Sequence, residues 1–151
     1  MNALVVYDST FGNTERIAGA IADWLEQHGS VRLLRVAKAQ PVDLEGIDLL
    51  VLGCPTQRHK PTPAIQAFLA SIPHATLRGM RAAAFDTRYR KPRLLTGSAA
   101  RAIAKRLRKA GASLLQPPES FFVSAREGPL EEGELERAAE WAHQVLDELE
   151  T

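Results

Sequence analysis

Residues 5–14 read Val5-Val6-Tyr7-Asp8-Ser9-Thr10-Phe11-Gly12-Asn13-Thr14. The apolar half continues a run from Ala3 to Tyr7 that is typical of a strand covered on both faces of a sheet. The polar half is rich in hydroxyl and amide side chains, and the apolar periodicity of a helix follows it. A buried strand, a hydrogen-bonding loop and a helix in this order predict the first unit of a parallel α/β sheet.

The same alternation of apolar strands and amphipathic helices continues to the end of the chain. Further strands are predicted at 31–36, 47–53 and 80–85, with a last strand supplied by 112–115 and 121–123. Helices are predicted from the first loop to His28-Gly29, at about 62–72, at 99–110 with Ser98 as the cap, and at 132–149. Five parallel strands with helices on both faces predict a doubly wound, three-layer α/β fold in strand order 2-1-3-4-5, with the second strand at an edge.

Bulk composition predicts one globular domain, 1–151, because 151 residues with 45% hydrophobic and 25% charged residues suffice for a single core. No stretch approaches the roughly 18 apolar residues of a membrane span, and residues 1–7 lack the basic start of a signal peptide, so a cytoplasmic location is expected. Cys54 is the one cysteine and is interpreted as a small core residue. The basic stretch 101–109 has no interleaved aromatics and reads as a solvated helix face, so neither nucleic acid nor membrane is an expected partner.

The loop after the first strand has the chemistry of an anion site. In doubly wound sheets, ligands bind beyond the carboxyl ends of the strands, where the strand order reverses. Unpartnered N–H groups at a helix N-terminus, together with the hydroxyls of Ser9, Thr10 and Thr14, donate hydrogen bonds to an anion. The loop contains no lysine or arginine and matches neither a Walker A loop nor a Gly-x-Gly-x-x-Gly turn. Capping a helix needs only one such residue, so a phosphate site built from neutral donors is predicted.

The stretch from Val5 to Thr14 resembles the phosphate-binding signature of the flavodoxin family, and the stretch from Val51 to Thr56 resembles the family's second flavin loop. The order and length of the predicted elements match over nearly the whole chain. With no long insertion in its last strand, the chain is similar to short-chain flavodoxins. The resemblance implies a non-covalent FMN that carries one or two electrons between redox partner proteins, a reductase and an electron acceptor. It also implies that no side chain performs covalent or acid-base catalysis, and we expect a monomer.

The resemblance assigns residues to both ends of the FMN. The phosphate is expected on Ser9, Thr10, Phe11, Gly12, Asn13 and Thr14. The ring is expected between a first loop, Pro55, Thr56, Gln57, Arg58 and His59, and a second loop, Asp86, Thr87, Arg88 and Tyr89, with Tyr89 stacked on it. Family members often place a tryptophan or other apolar residue in the first loop. In this chain, the first loop contains no aromatic side chain other than His59. Trp24 and Trp141 fall in predicted helices and are expected to pack there.

Basic residues gather in the two predicted ring loops, whereas typical flavodoxins are acidic there. They are Arg58, His59 and Lys60 in the first loop and Arg88, Arg90, Lys91 and Arg93 in and after the second. Because positive potential favours an anionic reduced flavin, we expect a less negative low-potential couple, or else an acidic partner or an anionic substrate. Two alternatives stay open, a small FMN-dependent NAD(P)H or quinone reductase and a flavin-free interaction module.

Overall fold

A computed structural model describes residues 1–151, in which strands and helices alternate. The strands are β1 (Asn2–Tyr7), β2 (Ser30–Arg35), β3 (Leu49–Pro55), β4 (Arg81–Tyr89), β5 (Ser113–Leu114) and β6 (Glu119–Val123). The helices are α1 (Asn13–Glu26), α2 (Pro63–Ser71), α3 (His74–Leu77), α4 (Arg93–Thr96), α5 (Ala99–Lys109) and α6 (Glu134–Glu150). Two short 3₁₀ turns, Val36–Lys38 and Pro41–Leu44, follow β2. None of these helices combines the length and the hydrophobicity that a membrane span requires.

All strand pairs are parallel, and the sheet order β2-β1-β3-β4-β5 confirms the predicted fold class. The fifth position of the sheet is filled by two segments, because β5 and β6 both pair with β4 on the same edge. Gln116, Pro117 and Pro118 lie between them. Proline has no N–H to donate to a ladder, which accounts for the interruption that the sequence predicted.

The core has two layers because successive residues of a strand point to opposite faces of the sheet. Leu4 and Val6 pack toward α2 and α5, whereas Val5 packs toward α1 and α6. On the second face the rings of Phe85, Phe121 and Trp141 meet edge to face, with centroids 6.0–6.1 Å apart. Trp141 is therefore the core residue that its place in a helix predicted.

Several predicted boundaries were wrong by a few residues, and one error concerns the site. The strand predicted to end at Phe85 continues to Tyr89, because its second half pairs with β6. The last helix begins at Glu134 rather than at residue 132, since Gly133 precedes it with a left-handed φ of 86°. The short helices α3 and α4 were not predicted, as four residues are too few for a periodic pattern.

Candidate functional site

The loop from Ser9 to Gly12 turns tightly at the N-terminus of α1. The Ser9 hydroxyl accepts hydrogen bonds from the N–H of Gly12 at 3.1 Å and of Glu15 at 3.4 Å. Gly12 adopts a φ of 92°, a conformation that favours glycine. The backbone N–H groups of Thr10, Phe11, Asn13 and Thr14 donate to no group of the protein. These unpartnered donors at the positive end of a helix dipole fit the predicted phosphate.

A polar cluster behind this loop fixes its position. Arg35 at the end of β2 donates to the carbonyl of Ser9 at 2.9 Å and to Glu15 at 3.0 Å. The Tyr7 hydroxyl donates to the same carboxylate at 2.6 Å. The hydrogen bond from Tyr7 lowers the pKa of Glu15, while burial followed by the bond to Glu15 raises the pKa of Tyr7. The cluster keeps the loop in place through β1, β2 and α1 together.

Two side chains of the loop contact protein groups. The buried hydroxyls of Thr14 and Thr87 lie 2.7 Å apart, which links α1 to the end of β4. The Asn13 amide donates to the carbonyl of Glu127 at 3.2 Å. These bonds connect the expected phosphate loop to one of the ring segments and to the loop after β6.

The first predicted ring loop is a tight turn with an unusual backbone. Gln57 and Lys60 exchange two backbone hydrogen bonds of 2.9 Å across the central residues Arg58 and His59. Both central residues have a left-handed φ, 49° at Arg58 and 71° at His59. In two-residue hairpin turns, these positions are normally occupied by Asn-Gly or Gly-Gly. Residues other than glycine store roughly 1 kcal/mol or more each in that region.

Contacts from both sides hold this turn. The Gln57 amide donates to the hydroxyl of Thr10 at 3.0 Å, which ties the turn to the phosphate loop. His59 pairs with Gly97, whose φ is 69°. A Cβ at Gly97 would lie 2.5 Å from the Cα of His59, so the close approach requires glycine.

The second predicted ring loop is not a loop but the end of β4. Asp86 is completely buried and caps α5, accepting from the Ser98 hydroxyl at 2.6 Å and the Ala100 N–H at 3.0 Å. Its other oxygen has no hydrogen-bond partner and lies 4.0 Å from Nε of Arg88. Thr87 and Arg88 are buried next along the strand, and Tyr89 at its end is 37% exposed.

The Arg88 guanidinium anchors the chain that follows β4. It donates to the Ser120 hydroxyl at 2.8 Å, the Lys91 carbonyl at 2.7 Å and the Thr96 hydroxyl at 3.1 Å. Burial lowers the pKa of Arg88, and the nearby Asp86 opposes this shift. The segment from Arg90 to Thr96 is thereby held against the sheet by one buried side chain.

These segments surround one cavity of about 990 Å³ at the carboxyl ends of β1, β3 and β4. That volume lies at the upper end of the range for small-molecule sites. The structure brings 13 of the 15 predicted site residues to its wall, and the two that do not line it are Gly12 and Asp86. Gly12 shapes the phosphate loop, whereas Asp86 lies in the core beneath the ring segment.

The cavity wall is strongly cationic. Arg58, Lys60, Arg88, Lys91 and Arg126 all line it, and no aspartate or glutamate does. Arg126 follows β6, and its guanidinium carbon lies 5.9 Å from the centroid of the Phe11 ring, so this cation belongs to the phosphate-loop end. Sequence reasoning missed Arg126 because no motif marks it. An anionic ligand suits this wall, and the charge is not confined to the two ring segments.

The remaining candidate residues have structural positions. Cys54 is fully buried in β3, as predicted, and burial raises the pKa of its thiol to about 12. Trp24 is half-buried on α1, where its ring stacks on His28 at 4.3 Å and lies 5.1 Å from His143 of α6. Neither residue reaches the cavity.

Comparison with known proteins agrees with this geometry. The family model described as Flavodoxin matches residues 5–141. A flavodoxin from the domain Archaea superposes with a TM-score of 0.84 at 22% identity, and each chain is covered completely. Oxidised flavodoxin 1 from Bacillus cereus gives a TM-score of 0.80 at 17% identity, with 97% of this chain and 98% of that chain covered.

The same fold also occurs within a larger protein. Rubredoxin oxygen:oxidoreductase from Desulfovibrio gigas gives a TM-score of 0.80 at 16% identity. The match covers 99% of this chain but 36% of that one. Likeness at this identity concerns the fold alone.

Proposed function

This chain belongs to the flavodoxin family as an FMN-binding electron-transfer protein, and from that premise we propose how its own residues hold and tune the cofactor. The phosphate is placed on the loop from Ser9 to Thr14, with the ring between the turn at 55–59 and Tyr89. FMN supplies the redox chemistry, accepting and donating one or two electrons. The protein binds the cofactor, orients it and sets the potential around it.

The observation that carries this placement is the set of four backbone N–H groups left without partners at the start of α1. A neutral loop with free donors compensates a phosphate dianion without an ion pair, and Arg126 adds one cation beside it. The hydroxyls of Ser9 and Thr10 are engaged with Gly12 and Gln57, yet an oxygen can accept one bond while donating another.

Redox tuning by the ring-end cations follows from simple electrostatics. Arg58, Lys60, Arg88 and Lys91 favour whichever redox state of the ring carries the additional negative charge. The low-potential couple is therefore less negative than in a flavodoxin with an acidic rim. We further propose that the protein acts as a monomeric, cytoplasmic carrier between a reductase and an acceptor, rather than as an enzyme with its own substrate.

Absorption and titration test the cofactor assignment. We expect the purified protein, or apoprotein titrated with FMN, to show oxidised flavin bands and to quench FMN fluorescence stoichiometrically. Riboflavin, which lacks the phosphate, should bind much more weakly because the free N–H groups have no anion to meet. Equal affinity for the two would contradict the phosphate placement. Sustained NAD(P)H oxidation by the isolated protein would favour the reductase alternative instead.

A redox titration of the Lys91→Gln variant tests the electrostatic part. Lys91 is exposed and lines the cavity, so removing its charge should lower the low-potential midpoint by about 10–40 mV, the equivalent of an exposed charge interaction. Lys105→Gln on the outer face of α5 is the matched control and should leave the midpoint unchanged. An equal shift of the midpoint potential in both variants would contradict the proposal that cations at the ring end set the potential.

A further inference from the structure

A pair of uncovered leucines stands beside the cavity. Leu94 is 90% exposed and Leu95 63% exposed, both on the short helix α4. Leu95 also lines the cavity, as does Tyr89, which is 37% exposed. Scattered exposed apolar residues are ordinary, but adjacent ones grouped at the mouth of a cavity are typical of a contact surface. We call Tyr89, Leu94 and Leu95 the leucine platform.

The leucine platform is held in a fixed position. The buried guanidinium of Arg88 donates to the Lys91 carbonyl and to the Thr96 hydroxyl, on either side of the two leucines. Gly97, which follows this segment, pairs through its backbone with His59 of the neighbouring turn. Because the backbone that carries the two leucines is already ordered, it loses little conformational entropy on binding, which favours their use as anchors for a partner.

Cations border the leucine platform on both sides. Arg90, Lys91 and Arg93 come from the same segment, and Arg58 and Lys60 from the neighbouring turn, all of them exposed. Of these five, only Arg90 forms a salt bridge, at 2.9 Å to Glu131. Free cations around an apolar centre are complementary to a surface with the opposite charge and an apolar residue in its middle. A second copy of this chain would bring like charges together, so self-association is disfavoured.

We propose that the leucine platform and its cationic border are the docking site for an acidic redox partner protein. This proposal rests on the proposed function, because it places the partner where the ring of bound FMN would be nearest to the surface. The partner's carboxylates meet Arg58, Lys60 and Arg93 and steer the encounter, while Leu94 and Leu95 fill an apolar contact. One electron leaves the reduced FMN of this protein and one is gained by the redox centre of the partner, with no further reactant.

Two forms of one probe protein differ chiefly in surface charge. Native cytochrome c is basic, and succinylation of its lysines gives the same polypeptide and haem an acidic surface. Calorimetric titration of the FMN-loaded, oxidised protein should show binding to the succinylated form at low salt and about tenfold weaker binding or none to the native form. In a stopped-flow experiment, the chemically reduced, FMN-loaded protein should reduce the succinylated cytochrome faster than the native one. Added salt should slow the reaction with the acidic probe and accelerate the reaction with the basic probe.

Matched variants identify the surface responsible. The Leu94→Ser/Leu95→Ser double variant should weaken binding of the succinylated probe about fivefold, whereas Val42→Ser, at a position 58% exposed on a distant turn, should not. Arg93→Glu should reverse the salt dependence in part, and Lys105→Glu on α5 should leave it unchanged. Each variant is titrated at saturating FMN and its flavin absorbance is measured beforehand, which separates a docking defect from loss of the cofactor.

Several results would overturn the docking proposal. Equal binding and equal rates for the two probes would do so, as would Leu94→Ser/Leu95→Ser behaving like Val42→Ser. A dimer that the double variant abolishes would show that the platform serves a second copy, and binding to anionic lipid vesicles would show a membrane contact instead. Failure to bind FMN, or to reduce either cytochrome, would count against the proposed function itself and is read out separately by the FMN titration.

Discussion

Arg126 lines the cavity and lies beside Phe11 of the phosphate loop, and it permits a test with two cofactor forms. The Arg126→Gln variant should bind FMN about threefold more weakly, the loss expected of an exposed charge next to an anion. Riboflavin affinity should be unchanged because the side chain would have no phosphate to contact. Fluorescence titration of both ligands measures the ratio. Parallel losses for the two ligands would place Arg126 at the ring or assign it a structural role.

The position of the first loop at the cavity could be predicted, because a short run of hydroxyl, amide and glycine residues between a buried strand and a helix is typical of an anion site. The role of Arg126 could not be predicted, since more than a hundred residues separate it from Phe11 in the sequence and only folding brings the two side chains together. Asp86 shows the reverse case. The family resemblance assigned it by position to the second ring loop, but the strand continues past it, and the carboxylate caps α5 from within the core.

Among the elements, the turn at 57–60 and the entry to α5 depend on one close contact. Gly97→Ala would place a Cβ 2.5 Å from the Cα of His59 and strain a left-handed φ as well. We expect FMN affinity to fall at least tenfold, because the turn at 57–60 must move away from the entry to α5 and so displace one wall of the ring site. Gly79→Ala is the matched control, with a φ of 77° but open space around the Cβ. It should lose about 1 kcal/mol of stability and keep its FMN affinity.

The junction of β6 and α6 predicts a dependence of stability on pH. Burial alone would raise the pKa of Glu134, but hydrogen bonds from Arg137 and from the Phe122 N–H outweigh it and hold the pKa below its ordinary value. A lowered folded-state pKa stabilises the protein above the unfolded pKa, near 4.3, and this stability is lost as the pH falls through the folded value.

Replacing that carboxylate should therefore flatten the acid limb of the stability curve. Glu134→Gln is expected to cost about 2 kcal/mol at pH 7 and progressively less below pH 4, measured by urea unfolding at each pH. Glu140→Gln, at an exposed position of the same helix beyond its first turn, should change neither the stability nor its pH profile. A constant loss at every pH would assign the effect to packing rather than to charge.

Strand positions were predictable because fully buried strands of a parallel sheet read as continuous apolar runs, as in β1 and β3. Their ends were less predictable, since the end of β4 depends on pairing with β6, a partner more than thirty residues away. Short helices such as α4 left no periodic signal. The leucine platform therefore emerged from the folded structure, although the basic residues around it were evident in the sequence.

At the scale of the whole molecule, charge is polarised in a way that the net value conceals. The chain has a net charge of +1, yet the wall of its large cavity carries five Lys or Arg side chains and no carboxylate. Parallel topology accounts for this arrangement, because it brings the segments after β1, β3, β4 and β6 to the same end of the sheet. Acidic side chains near that end lie outside the cavity wall, as Asp86 does in the core and Glu131 does in its ion pair with Arg90.

The reactivity of the buried Cys54 thiol should report on opening of the domain. With no exposed surface and a thiol pKa of about 12, it should react with an aromatic disulfide reagent only when the layers on either side of β3 separate. FMN binds the closed form, so the labelling rate should fall in proportion to the factor by which the ligand stabilises the fold. Rapid labelling that FMN leaves unchanged would contradict this expectation. The labelling rate of this one thiol would thus measure the affinity for FMN without any spectroscopic signal from the flavin.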